Sequence, residues 1–362
     1  MAEETRIELS PALFSEKERP FLTMGELKVS TFRYESGIAG LRLANTRGHL
    51  VLLPYFGQMI WDAVFDGVDL TMANMFAEPR PATSIDATYG CFAFHSGLLR
   101  NGCPSPEDKH LLHGEMPCAQ MNRAWLVIGQ QDDGVPFVRL EGEYEYVMGF
   151  GSHYLATPSV ILAAGRSLFD IAMKVRNIGG AAMDLMYMCH INFAFVEGAE
   201  IIQAAPYTPE RTRVRSAIPG HVPATPAYRA FIDELMRDPA LMRRLDQPMR
   251  YDPEQVFYIE GLATDARGRT QALMLRPQGD GFLVCYDTSE FPKTVRWILA
   301  NADQKVAAFA LPSTCEPEGY LAEKAKGNLR SLAPGEAATF RVRTGYVNPE
   351  DAKALDARIR SL

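Results

Sequence analysis

The chain has 362 residues, of which 47% are hydrophobic and 22% charged, with a net charge of −7. Such a chain holds enough apolar material for a sizeable core, and its acidic balance argues against a nucleic-acid partner, which would need a basic face. No apolar run approaches the roughly 18 residues that span a bilayer, and the acidic, polar start MAEETRIELSPALFSEKERP has no secretory pattern, so a cytoplasmic protein with no membrane partner is expected.

In chain order, short strands separated by turns dominate. Leu27–Tyr34 alternates polar and apolar residues. Ile38–Asn45 and Leu50–Leu53 follow around the turn Thr46-Arg47-Gly48. A Gly- and Pro-rich stretch from Cys91 to Pro117 reads as loop and carries His95, Arg100, His110 and His113. Phe137–Tyr146, Pro158–Ala164, Ser167–Asn177 and Asp184–Phe195 are further strands. After an interruption come Thr270–Leu275, Gly281–Tyr286, Val306–Leu311 and Ala338–Gly345, and Pro349–Arg360 closes the chain as a helix. This spacing predicts a mainly β protein of the sandwich or barrel kind, each strand burying one face. The six cysteines form no C-x-x-C pair and read as free thiols of a reducing compartment.

The interruption is helical. In Pro226–Leu245 the apolar residues Phe231, Leu235, Leu241 and Leu245 recur at helical spacing, Pro239 splits the run, and Thr225 stands at the N-cap. About 20 residues cannot bury a core of their own. The segment therefore reads as an insertion at 218–250 on one domain spanning 1–362. A lid or a homodimer contact is its functional reading, a cover for a sheet edge its plain one.

Several residues carry possible chemistry. His190 lies in the apolar strand MYMCHINFAF, where a buried imidazole needs a hydrogen-bond partner. Trp297 and Tyr286 are aromatic faces suited to stacking on the apolar face of a ligand, or to core packing. Asp287 and Lys293, after the Gly281–Tyr286 strand, are placed to meet hydroxyls or simply to form an exposed turn. His95, His110, His113 and Glu115 form a candidate nitrogen and oxygen set for a divalent metal, which defines one alternative, a metal-dependent sugar isomerase. Nucleotide-binding glycine motifs and the G-x-S-x-G elbow are absent from the sequence.

The order of four short motifs narrows the reading. Leu112-His113-Gly114 comes early, and a strand bearing His190-x-x-Phe193 follows. Pro312–Thr314 then ends a late strand, and Leu332-x-Pro-Gly-Glu336 precedes the last one. With the opening GLRLANTRGHLVLLPYFGQMIWDAVFDGVDL, this succession resembles the aldose 1-epimerase (galactose mutarotase-like) superfamily, in particular a bacterial branch of it, over residues 27–346 outside the insertion. The resemblance implies a large antiparallel β-sandwich, the mutarotase-like supersandwich, with an open cleft for a small-molecule sugar and no metal or organic cofactor. It implies that His113 contacts sugar hydroxyls and that His190 is the general acid in interconverting α and β anomers. It also implies a sugar-binding group shortly before His113, for which His95 and Arg100 are the nearest candidates. One departure stands out. Where the family carries its glutamate base, this chain has Leu311, and Glu316 and Glu318 are the nearest carboxylates in sequence. That departure opens a further alternative, a sugar-binding protein without catalysis.

Overall fold

A computed structural model describes residues 4–220 and 222–362. Two large antiparallel sheets make the mainly β sandwich that the sequence predicts. The nine-stranded sheet runs Thr5–Leu9, Arg123–Gln130, Pro136–Val147, His153–Ala163, Leu168–Asn177, Ala337–Val347, Gly281–Asp287, Arg269–Leu275, Glu200–Gln203. The thirteen-stranded sheet runs Thr212–Val214, Gln255–Ile259, Lys293–Ala300, Lys305–Ser313, Met183–Ile191, Ala93–Leu98, Ile60–Phe65, Gly48–Leu52, Ala39–Ala44, Leu27–Arg33, Arg19–Met24. Two short strands, Arg330–Leu332 and Val68–Asp69, pair off this path.

Aromatic pairs join the sheets face to face. Phe193, just past the His190 strand, stacks on Phe282 of the smaller sheet at 5.0 Å between ring centres. Tyr187 meets Phe340 at 4.9 Å. Because side chains alternate along a strand, the residues between these core positions face the other way. On the thirteen-stranded sheet that outward face becomes the cleft described below.

The strands read from alternation all form, with ends shifted by a few residues. Several other strands were not read from the sequence, and burial explains two of them. Ala93–Leu98, expected as loop, and Gln255–Ile259 are buried at every residue. A strand covered on both faces has no polar alternation to read. The short helix Tyr320–Lys326 was also unforeseen; it stops at Gly327, which takes a left-handed conformation.

The insertion folds as the periodicity predicts. The helix Pro226–Arg237 starts at Thr225, whose hydroxyl accepts from the Tyr228 amide at 3.2 Å, and a 3-10 turn over Pro239–Met242 follows. Tyr228, Phe231, Ile232 and Leu235 form its buried face. The insertion is tied to an edge strand of the nine-stranded sheet, where the Ile201 amide donates to Arg243 O at 2.7 Å and Leu245 N to Ala199 O at 2.9 Å. The helix also packs on Thr212–Val214, the edge strand of the other sheet. Its plain reading, an edge cover, is thus present, and edges left bare invite aggregation. No helix among the described residues is long and apolar enough to cross a membrane.

The C-terminal helix Pro349–Ser361 is specified at both ends. Asn348 caps it by accepting from the Asp351 amide at 2.9 Å, Glu350 and Asp351 occupy the first turn, and Arg358 and Arg360 the last. Ala352, Leu355 and Ile359 pack on Leu273, Leu283 and Cys285, on the outer face of the nine-stranded sheet. Ile359→Ala is therefore expected to lower unfolding stability by about 2–5 kcal/mol, read as a drop in the urea midpoint at unchanged m value.

Candidate functional site

Four neighbouring strands of the thirteen-stranded sheet floor a cleft of about 480 Å³, within the range of roughly 300–1,000 Å³ usual for small-molecule sites. Strand alternation supplies the floor: Val256, then Val295, Trp297 and Leu299, then Leu311, then Met188 and His190. The walls carry Asp86, Tyr89, Cys103, His113, Arg215 and Glu254, with Asn301 and Gln304 at one end. The two flanks of the insertion contribute Val222, Pro223 and Asp252 through Glu254, so the insertion walls the cleft as well as covering edges.

His190 sits in the floor and is 3% exposed. Phe94, its cross-strand partner, stacks on the imidazole at 4.5 Å, and Trp297 meets it edge-on at 5.8 Å. The ring's orientation follows from a short chain of hydrogen bonds. Asn192 donates its amide Nδ2 to Cys91 O at 2.9 Å, which turns its Oδ1 toward His190 Nδ1 at 2.8 Å. Nδ1 must therefore carry the proton, and in the neutral ring Nε2 is an acceptor. The Tyr89 hydroxyl lies 3.2 Å from Nε2 and fills that role of donor. Burial pushes His190 well below the ordinary histidine range and His113 nearby adds to this, against the opposing bond from Asn192.

His113 faces His190 edge-on, with ring centres 4.9 Å apart. Ser96 donates its hydroxyl to Asn101 Oδ1, so the same oxygen accepts from His113 Nδ1 at 3.0 Å. The His113 backbone adopts φ +59°, a left-handed conformation that costs a non-glycine residue energy. Two backbone bonds hold it there, from His113 N to Gly102 O and from Gly97 N to His113 O. Gly114 takes φ +81°, and a Cβ there would lie 2.0 Å from Arg100 O. The His-Gly pair is thus a backbone requirement as well as a motif.

Glu254 brings a carboxylate to the wall and is 8% exposed. Arg215 donates to one of its oxygens, and Trp297 Nε1 donates to the other at 2.7 Å. Burial disfavours the Arg215 charge, but Glu254 together with Cys103, Tyr258 and Glu318 outweighs it and raises the guanidinium above its ordinary value. Burial pushes the Cys103 thiol up to about 11, against the nearby Arg215.

The structure gathers His113, His190 and Trp297 in this cleft, with Leu311 in its floor. The other candidates lie elsewhere. His95 alternates to the core side, where Nδ1 bonds Tyr187 Oη at 2.8 Å, and burial lowers it to about 3. Arg100 lies over the Tyr320 ring at 3.7 Å and lines a separate hollow with His110 and Glu115. Asp287 accepts from Ser289 in an exposed turn, and neither it nor Lys293 lines the cleft. Tyr286 is buried, its hydroxyl against Thr294. Glu316 is paired with Arg213 at 2.7 Å and Lys326 at 2.6 Å; burial works against its charge, but these cations hold it below the usual range. Glu318 accepts from the Tyr258 hydroxyl. Between these two glutamates only Pro317 reaches the cleft. The candidate metal set disperses, since His95 faces the core and Glu115 accepts from Leu98 N, Leu99 N and Tyr154 Oη. Among the described residues no three His, Cys, Asp or Glu side chains gather to hold a metal.

Tyr89, Arg215 and Glu254 were missed from sequence. Glu254 stands directly before the apolar run Gln255–Ile259, and an acid at the mouth of such a run was the signal available. Arg215 directly follows the short strand Thr212–Val214. Nothing near Tyr89 distinguishes it in sequence.

A family model described as a domain of unknown function (DUF4432) matches residues 35–345. No curated protein matches the chain. Among solved structures, the fold is similar to that of a proposed aldose 1-epimerase from Klebsiella pneumoniae, at TM-score 0.79 and 15% identity over 100% of this chain and 96% of that one. It is also similar to a galactose mutarotase-like protein from Clostridium acetobutylicum, at 0.58 and 11% over 90% and 100%. Galactose 1-epimerase from Lactobacillus acidophilus matches at 0.54 and 11% over 96% and 99%. The fold is thus similar to that of these aldose 1-epimerase-like structures, as the motif order implied.

The two buried neutral histidines make stability pH-dependent. In the unfolded chain they take up protons below about pH 6.5, whereas the folded state leaves His95 neutral down to about 3 and His190 neutral well below its ordinary range. Their contribution is complete above about pH 6.5 and is lost as pH falls, by up to about 1.4 kcal/mol per pH unit for each ring. Urea midpoints measured from pH 7 to pH 5 should fall, and His95→Gln should flatten that fall relative to the unmodified protein.

Proposed function

The chain belongs to the DUF4432 family, and from that footing and the site's geometry we propose that it binds a free sugar in the cleft and interconverts its α and β anomers by acid–base ring opening. One observation carries the reading. Two imidazoles, His113 and His190, the Glu254 carboxylate and the rings of Tyr89 and Trp297 share the lining of a single hollow of monosaccharide scale, with apolar strands beneath them. A pyranose has hydroxyls around its rim and C–H faces above and below, and this lining complements both. Trp297 and Tyr89 supply faces for stacking, their rings 5.5 Å apart. Each Glu254 oxygen has one protein donor and keeps a lone pair for a sugar hydroxyl. His113, with its Nδ1 committed to Ser96, steadies the ring from the opposite wall. His190 Nε2 is the group placed to handle protons at the anomeric centre.

Leu311 favours a second reading, a sugar-binding protein without turnover, because the expected carboxylate base is absent from the floor. Saturation-transfer NMR on a panel of free aldoses separates the two. Mutarotation predicts faster exchange between the anomers of at least one sugar. Binding of one anomer with no acceleration anywhere on the panel would instead select the second reading. His190→Asn should abolish acceleration while far-UV circular dichroism stays unchanged. Glu254→Gln, by weakening a charge-assisted contact, should raise the sugar Kd roughly ten- to a hundredfold by calorimetry.

A further inference from the structure

We infer that Tyr89 and His190 form the acid–base pair of the ring-opening step, with His190 taking a proton and Tyr89 giving one. The assignment rests on the mutarotase reading of the cleft and reverses the acid role expected for His190.

The argument begins with the hydrogen-bond chain from Cys91 O through Asn192 to His190. It fixes the Nδ1–H tautomer and leaves a lone pair on Nε2. A ring in that state accepts protons. To serve as the acid it would first have to be charged, and its surroundings oppose that. Phe94 stacks on it, Trp297 meets its edge, and Met188 and Leu311 share the floor. The titratable neighbours are Tyr89 and His113, both in ring contact with it. Asp86, Cys103 and the Arg215–Glu254 pair stand on the walls. The Glu254 carboxylate is engaged by Arg215 and Trp297, and Asp252 lines the cleft from the insertion's flank.

A second group must supply the proton for the ring oxygen. Tyr89 Oη lies 3.2 Å from Nε2, and its ring packs against His113, His190 and Trp297. When a sugar binds, its anomeric hydroxyl replaces Tyr89 as the donor to Nε2, which frees the phenol O–H. The step then balances. Nε2 takes the proton from O1, the O1 electrons form the C1 carbonyl, the C1–O5 bond breaks, and its pair goes to O5. O5 takes the Tyr89 proton. His190 is now protonated beside a phenolate, and the proton passes from Nε2 to Oη, restoring both groups. Rotation about C1–C2 followed by the same steps in reverse closes the ring on the other face. Burial raises Tyr89 well above the ordinary tyrosine range, so the phenol is protonated at neutral pH and its phenolate readily recovers a proton. Leu311 fits the same scheme, because a chain whose histidine is the base has no need of a carboxylate there.

The test uses the purified full chain, an aldose it accelerates, and exchange rates from saturation-transfer NMR. Tyr89→Phe keeps the aromatic packing and removes only the hydroxyl. It is expected to lower kcat roughly 10²–10⁴-fold while the sugar Kd moves less than about threefold. The unmodified protein should show kcat/KM level from about pH 6.5 to 9, since a neutral histidine base is fully competent there. A Tyr89→Phe rate within about threefold of the unmodified one would overturn the pair. So would a kcat/KM that falls tenfold per pH unit above about pH 6.5, the mark of a protonated histidine acting as the acid. If the unmodified protein accelerates no aldose, the mutarotase reading itself fails and takes this assignment with it.

Discussion

The two-residue period of the antiparallel strands is the constraint on which the rest of the molecule depends. On the His190 strand it sends Tyr187 to the inter-sheet core and Met188 and His190 to the cleft. On the neighbouring strands it places Leu311, Val295, Trp297 and Val256 on that same face, opposite one another in register. A slip of one residue in any of these pairings would exchange a cleft group for a core group. The sandwich and the site are therefore one arrangement read on its two faces.

A polar ring set into an apolar floor requires a partner for each of its nitrogens. Asn192 meets that need at Nδ1, and its own amide is held by Cys91 O, so the imidazole's tautomer is decided by the backbone. Ser96 and Asn101 do the same for His113. Both histidine rings are thus oriented by the protein itself, and using them would require little reorganisation. Leucine at 311 makes the floor drier, which disfavours a charged imidazole further. The absence of the glutamate and the neutral state of the histidine are thus physically linked.

What the sequence made legible follows the same logic. Many strands with one wet face announced themselves by alternation, and the helix at 226–237 by its spacing, its proline and its cap. Ala93–Leu98 and Gln255–Ile259 did not, because burial on both faces erases the pattern. His113 and His190 came from motif order. The cleft's carboxylate did not, since proximity in sequence was a poor guide to proximity in space. Glu316 and Glu318 follow Leu311 closely, yet the chain turns after Ser313 and delivers them to Arg213, Lys326 and Tyr258. Arg215 and Glu254 lie on opposite sides of the insertion, and only the folded sheet brings them together.

The insertion separates two kinds of change that a protein of this design can undergo. Its ends are fastened to strand edges, while its flanks present Val222, Pro223 and Asp252 to the cleft. His190 on the sheet floor and Tyr89 on the wall lie outside those flanks. Lengthening a surface loop between fixed anchors costs little, since closure entropy grows only with the logarithm of its length. Residues 216–253 are therefore a module that evolution, or an engineer, can exchange to reshape one wall of the cleft while its floor stays as it is.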